Sequence, residues 1–273
     1  MNKYNKTIIG NSTLYLGDCL EVMKIIPDKS IDMILCDLPY GTTACKWDVI
    51  IPFEPLWEQY KRIIKDKGCI ALFGSEPFSS YLRLSNIKWY RYDWIWEKNL
   101  STGGMNANKI PLLDYETISI FYKKITTYNP QFLKGDTYKI KRLKPHINSV
   151  YGKTGMRDIF LSKNDGIRFP KRIIKFNTER GKHPTQKPVA LLAYLIKTYT
   201  KEGETVLDNC MGSGSTGVAC KHTNRKFIGI EWSPEEPHDI YFNIACKRIK
   251  NPEQCKHIKT QSNKYSLFNE HTI

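Results

Sequence analysis

The chain has no run of 18 apolar residues, no apolar stretch at its start, and no CxxC pair among its eight cysteines. The first absence argues against a membrane-spanning helix. The second leaves the opening MNKYNKTIIGN without the central feature of a secretory leader, which favours a cytoplasmic protein. The third argues against a zinc site or a disulfide framework, so no metal is expected. Several cysteines, among them Cys36, Cys69 and Cys220, instead sit inside apolar runs, where a thiol acts as a small hydrophobe. Acidic residues are also scarce, with 27 Asp and Glu against 42 Lys and Arg, a formal net charge of +15.

That positive excess has two readings, a polyanionic partner such as nucleic acid or a lysine-rich host proteome. Its distribution favours the first. Residues 123–182 hold sixteen Lys and Arg against four Asp and Glu, a net of +12 in sixty residues. A proteome-wide bias would spread more evenly.

With 273 residues and 41% hydrophobic content, the chain can bury a substantial core. STLYLGD (12–18), IDMILCD (31–37) and CIALFG (69–74) read as strands, and residues 89–99 and 115–124 as two more. CLEVMKIIPDKS reads as a helix, as does FEPLWEQYKRIIKDKG, with Leu56, Tyr60, Ile63 and Ile64 on one face and a stop at Gly68. After the basic stretch, a helix spans KPVALLAYLIKTYTKEG and a strand spans ETVLDN. A glycine turn leads into a further helix, KFIGIE forms a strand, and a last helix falls within 238–250 with Ile240, Ile244 and Ile249 as candidate buried positions. The pattern predicts an α/β fold, a doubly wound, mostly parallel sheet covered by helices on both faces. Residues 1–122 and 183–250 would form this domain. Residues 123–182, where aromatics interleave with Gly, Pro, Lys and Arg, would be a loop-rich insertion, and 251–273 a polar tail.

Two places carry chemistry. In LDNCMGSGSTG, Asp208 ends a strand and Gly212, Gly214 and Gly217 shape the turn before a helix, and the next strand ends at Glu231. Glycines let backbone approach a ligand, and such an acid can accept two hydrogen bonds from a ribose diol. The set points to a nucleoside-containing cofactor. No Lys-Ser/Thr pair follows the glycines, so it is not a Walker loop.

The second place is Asp37-Leu38-Pro39-Tyr40, directly after a strand. By itself this is readable as a proline-stiffened turn. It also supplies a carboxylate, a fixed carbonyl and a π-face, the groups needed to hold an exocyclic amino group of a planar base.

DLPY resembles the D-P-P-Y tetrapeptide of amino-methylating DNA methyltransferases. LDNCMGSGSTG resembles their S-adenosylmethionine motif, and HPTQKP (183–188) resembles the segment just before it. The order, tetrapeptide then basic insertion then cofactor motif, matches the β-class of that family. The resemblance implies a seven-stranded Rossmann-like sheet and S-adenosylmethionine as cofactor. It implies catalytic roles for Asp37, Leu38, Pro39 and Tyr40. The cofactor would be lined by Asp37, by Asp208, and by Cys210, Met211, Gly212, Ser213, Gly214, Ser215 and Thr216. Glu231, with Trp232 beside it, would hold the ribose, Asp18 and Cys19 would meet the adenine, and Thr185 and Lys187 would lie near the methionine carboxylate. For Lys187 a solvated helix-start lysine is the competing reading. Two positions depart from the pattern, Leu38 for proline and Cys210 for phenylalanine, and neither removes a group that the chemistry needs.

The implied reaction moves a methyl group to the N6 amino group of a flipped adenine in double-stranded DNA. N4 of cytosine is the alternative, disfavoured because cytosine amino-methylases more often carry serine where Asp37 stands. An RNA or protein nitrogen methyltransferase and an inactive DNA-binding module are further alternatives. Carbon-5 methylation needs a cysteine nucleophile, typically in a Pro-Cys pair, and no such pair occurs. Arg142, Arg157, Arg168, Lys171 and Arg172 are the candidate DNA contacts in the basic stretch. The paired glycines of TGGMNANKIP (102–111) fit either a loop that closes over DNA or a plain connection. A homodimer and a cognate restriction endonuclease come with the family alone.

Overall fold

The continuous apolar runs form the middle of a nine-stranded sheet. A computed structural model describes residues 4–43, 45, 48–142, 160–179, 186–232 and 239–254, with backbone only at 140–142, 160–163 and 254. The strands are β1 (Asn5–Ile9), β2 (Ser12–Leu16), β3 (Ile31–Cys36), β4 (Ile64–Gly74), β5 (Tyr90–Thr102), β6 (Leu113–Phe121), β7 (Leu133–Lys134), β8 (Tyr138–Arg142), β9 (Phe160–Asn164), β10 (Ile167–Arg168), β11 (Ile173–Lys175), β12 (Thr205–Asp208) and β13 (Lys226–Glu231). The helices are α1 (Cys19–Met23), α2 (Phe53–Ile63), α3 (Phe78–Ser85), α4 (Val189–Tyr199), α5 (Ser215–His222) and α6 (Ile240–Lys250).

The sheet runs β1-β2-β13-β12-β3-β4-β6-β5-β11. The pairings from β2 through β4 are parallel, and β6 is antiparallel to both its neighbours. Each central strand is buried on both faces, and alternate residues divide between two layers. Along β4, Cys69, Ala71 and Phe73 pack with α4, α5 and α6, while Ile70 and Leu72 pack with α1, α2 and α3. Strands β12 and β3 lie side by side, and the chain leaves them in opposite directions, towards β13 and towards β4. This is the switch point where open α/β sheets bind ligands beyond their carboxyl ends.

The sheet has two strands more than the expected seven, one at each edge. β1 pairs antiparallel with β2 across Gly10 and Asn11, and β11 pairs parallel with β5. Helix α3 was also not evident from the sequence. Helix α2 ends at Ile63 rather than at Gly68, because Ile64 turns extended and pairs with Ile31. Gly68 lies within β4, where a Cβ would meet the Ile64 side chain at 2.6 Å and the Asp32 carbonyl at 2.9 Å. Ile240, expected to be buried, is exposed at the start of α6. Phe242, Ala245, Arg248 and Ile249 form that helix's buried face, with Ile244 partly covered.

The described residues of Met1–Asn129 and Lys171–Lys259 form one compact unit, and those of Pro130–Pro170 belong to a second. In the second unit β7 pairs with β10 and β8 with β9, both antiparallel, and the rings of Phe132 and Phe169 meet at 5.1 Å.

Candidate active site

Strand β3 ends at Cys36, so Asp37 is the first residue beyond the sheet's carboxyl edge. Leu38 points into the layer holding α1 and α2 and is 4% exposed. The departure from proline therefore adds an apolar anchor beneath the turn. Tyr40 stacks on Phe78, centroids 5.0 Å apart and planes at 29°. Its hydroxyl donates to Asp37 Oδ1 at 2.6 Å. The loop after Tyr40 is tied down by Asp48, whose carboxylate accepts the backbone N–H groups of Gly41, Thr42 and Thr43 at 2.9, 2.9 and 2.7 Å.

The other Asp37 oxygen accepts a hydrogen bond from Lys187 Nζ. Lys187, buried just before α4, also lies 3.3 Å from Glu116 Oε2, and Lys98 sits 2.6 Å from Glu116 Oε1. Four charges of alternating sign thus run from Asp37 through Lys187 and Glu116 to Lys98. Burial pushes the Asp37 carboxyl up, the Lys187 charge opposes that, and Glu116 adds to it, leaving the group raised. Burial also acts on Glu116, yet Lys187 and Lys98 hold it below the usual carboxylate range. Lys187 is raised because its two carboxylate neighbours outweigh desolvation. Burial, then the Asp37 charge, lifts the Tyr40 phenol well above its ordinary value.

Beside Asp37, β12 ends at Asp208. Its carboxylate accepts from the Cys210 amide at 3.1 Å and from the Thr216 hydroxyl at 2.6 Å, and burial pushes its pKa to about 6. Gly212 and Gly214 adopt positive φ, +50° and +76°. A Cβ on Gly214 would also lie 2.8 Å from Ala245 Cβ, so only glycine fits there. Arg248 reaches in from α6 and donates to the Ser213 carbonyl and hydroxyl and to the Ser215 hydroxyl at 2.7, 2.8 and 3.1 Å. Glu231, ending β13, accepts from the Gly212 amide at 2.7 Å, and burial takes its pKa to about 8. Asp18 caps α1, accepting from the Leu20 and Glu21 amides. Cys19, Cys36 and Cys210 lie together beneath the turn, next to Asn209, which donates to Cys210 Sγ at 3.5 Å and accepts from Tyr60.

These elements line one cavity of about 920 Å³. Asp18, Cys19, Asp37 to Tyr40, Lys187, Asp208, Cys210 to Ser213, Ser215, Thr216, Glu231 and Trp232 all border it. Gly214 stands behind the turn as the N-cap of α5. Lys187 finds its anions in Asp37 and Glu116, protein carboxylates that the sequence reading did not pair with it. Thr185 and Arg157 lie outside the described residues, and only the backbone of Arg142 is described. Arg168 spends its guanidinium inside its own unit, on Asn164 and the Asp136 carbonyl and 4.8 Å over the Tyr138 ring. Lys171 is exposed, and Arg172 lies 5.1 Å over the Tyr92 ring. Glu116, Lys98, Asp48 and Arg248 were not identified from the sequence. Among the described residues no group of three or more His, Cys, Asp or Glu side chains could hold a metal ion, and no helix is long and apolar enough to cross a membrane.

The chain is similar to known proteins over most of its length. The profile of a DNA methylase family, of the N6/N4 type, matches residues 31–242. The type II methyltransferase M.HinfI of Haemophilus influenzae is 27% identical over 267 residues, 88% of this chain and 68% of that protein. M2.MboI of Moraxella bovis is 27% identical over 247 residues, 81% of this chain and 83% of its own length. Among solved structures, the M1.HpyAVI–SAM complex superposes with a TM-score of 0.58 at 27% identity, covering 87% of this chain and 99% of that one. The cytosine-N4-specific PvuII DNA methyltransferase shares the fold, with a TM-score of 0.60 at 16% identity over 88% of this chain and 86% of its own.

Proposed function

Since the chain belongs to the DNA methylase family of the N6/N4 type, we propose that it moves a methyl group from S-adenosylmethionine to the N6 amino group of an adenine flipped out of duplex DNA. The observation that carries this reading is the meeting of Asp37 and the glycine turn before Glu231 on one cavity, at the ends of adjacent strands. The donor set suits the cofactor. Glu231 accepts one backbone N–H at Gly212, and a carboxylate can accept from both hydroxyls of a ribose. Asp18 and Cys19 border the same cavity, where adenine would lie. When bound, S-adenosylmethionine supplies a methyl group on a sulfonium, a leaving group that needs no proton.

The work left to the protein is alignment and desolvation. An exocyclic amino nitrogen is a poor nucleophile because its lone pair is delocalised into the ring. Asp37 and the neighbouring backbone carbonyl, accepting its two N–H groups, favour the pyramidal geometry that frees the lone pair. Asp37 also stands ready to take the proton lost after attack. Tyr40, fixed by Phe78 and by its bond to Asp37, offers a ring on which the extruded base stacks. The carboxylate at position 37 supports adenine over cytosine. Residues 123–182 serve as the target-recognition segment, with Lys171 and Arg172 among the groups that neutralise phosphates.

Expression in bacteria that lack DNA methylation, followed by long-read mapping of modified bases, tests the proposal. Modified adenine at one recurring sequence is expected. Modified cytosine would move the assignment to N4, and unmodified DNA would overturn it.

A further inference from the structure

The groups around Asp37 pose a problem for its proposed task. One oxygen already accepts from Tyr40 and the other from Lys187, so an incoming amino group must share an oxygen with one of these donors. The same lysine has a second acceptor within reach. Glu116 Oε2 is buried and holds only a longer ion pair to Lys187 Nζ, at 3.3 Å, with no well-aligned hydrogen bond among the described residues. A buried carboxylate oxygen whose nearest donor is poorly aligned gains from a closer approach of that donor. Lys98 holds the opposite oxygen at 2.6 Å and fixes the carboxylate in place, and the ring of Phe73, 5.2 Å from Nζ, borders the lysine.

We propose that Glu116 is a second seat for the Lys187 ammonium, which moves from Asp37 to Glu116 when the target amino group docks. The move exposes an Asp37 oxygen to the substrate N–H without leaving the lysine unpaired in the cavity. Glu116 and Lys98 are then positioning residues that act through Lys187. The inference rests on the methyl-transfer reading above and adds to it two residues that neither motif contains. The titratable and charged groups facing Asp37 are Lys187, Glu116, Tyr40, Cys36 and Asp208, and Lys187, Lys98, Asp37 and Tyr40 face Glu116. Glu116 raises the Asp37 pKa and Lys98 draws on the Glu116 charge, so losses of the two act with opposite sign on Asp37.

The test compares wild type, Glu116→Gln and Lys98→Met in methyl transfer to unmethylated duplex DNA across a pH series, with thermal unfolding of each protein as control. Glu116→Gln is expected to lower kcat by on the order of tenfold to a hundredfold and to move the acid limb of the kcat profile to lower pH. Lys98→Met is expected to move that limb to higher pH. A merely structural role would lower the unfolding midpoint without opposite displacements of the limb. If Glu116→Gln does not fold, the direction of the Lys98→Met displacement decides. Wild-type kcat and an unmoved acid limb in a folded Glu116→Gln protein overturn the second seat alone, as does a limb unmoved or lowered by Lys98→Met. A wild-type protein that methylates no DNA overturns the reading beneath it as well.

Discussion

Burial at Glu231 couples the cofactor cavity to pH. Its pKa stands at about 8, against an ordinary 4.5, because the single amide of Gly212 does not offset desolvation. The folded state therefore keeps a proton that the unfolded chain releases. Between pH 4.5 and 8 the unfolded chain ionises while the folded one does not, so stability falls through that window and levels off above it. Glu231→Gln keeps an acceptor for Gly212 and removes the charge. It should match wild type near pH 4.5 and exceed it by several kcal/mol, on the order of 4, at pH 8.5, measured as denaturant unfolding at the two pH values. Above pH 8, where Glu231 is ionised, the same variant should bind S-adenosylmethionine more weakly, since an amide offers one acceptor oxygen where a carboxylate offers two. A variant no more stable than wild type at pH 8.5 would refute the burial argument.

At the scale of elements, the glycine turn and α6 form one device. Arg248 holds the turn through three hydrogen bonds, and Ala245 closes against Gly214. Replacing Gly214 by alanine imposes both a left-handed φ and a Cβ contact at 2.8 Å, so a loss of about 2–4 kcal/mol is expected. Arg248→Met should cost about 1–3 kcal/mol by leaving the Ser213 and Ser215 groups unpaired. Denaturant unfolding measures both, and a neutral Gly214→Ala would contradict the packing described. Legibility in the sequence followed from how completely each element is buried. Strands β3, β4, β12 and β13 were readable because both faces are covered and the apolar run is continuous. β1 and β11 were not, because an edge strand mixes exposed and covered residues: Ile8 and Ile173 are exposed while Ile174 is buried. Asp37, Tyr40 and Glu231 were readable because they follow or end such runs. Glu116 and Lys98 were not, because their meeting depends on the β5–β6 register, which sets Trp96 opposite Glu116. No local pattern encodes that pairing.

For the whole molecule, the +12 of residues 123–182 out of a net +15 concentrates the positive field in one segment. Binding to duplex DNA should then be dominated by counterion release. Raising salt from about 50 to 200 mM should weaken it by about 10³-fold or more, with S-adenosylmethionine binding nearly unchanged. Fluorescence anisotropy of labelled duplex follows the first and calorimetry the second. A DNA affinity that falls less than about tenfold would argue that the charge reflects composition rather than a binding surface.

The most direct measurement is nucleoside analysis by mass spectrometry of unmethylated duplex DNA incubated with S-adenosylmethionine and either wild-type or Asp37→Ala protein. The account predicts N6-methyldeoxyadenosine from the wild type and none from Asp37→Ala, with cofactor binding retained in the variant. N4-methyldeoxycytidine as the product, or transfer at the wild-type rate by Asp37→Ala, would contradict it.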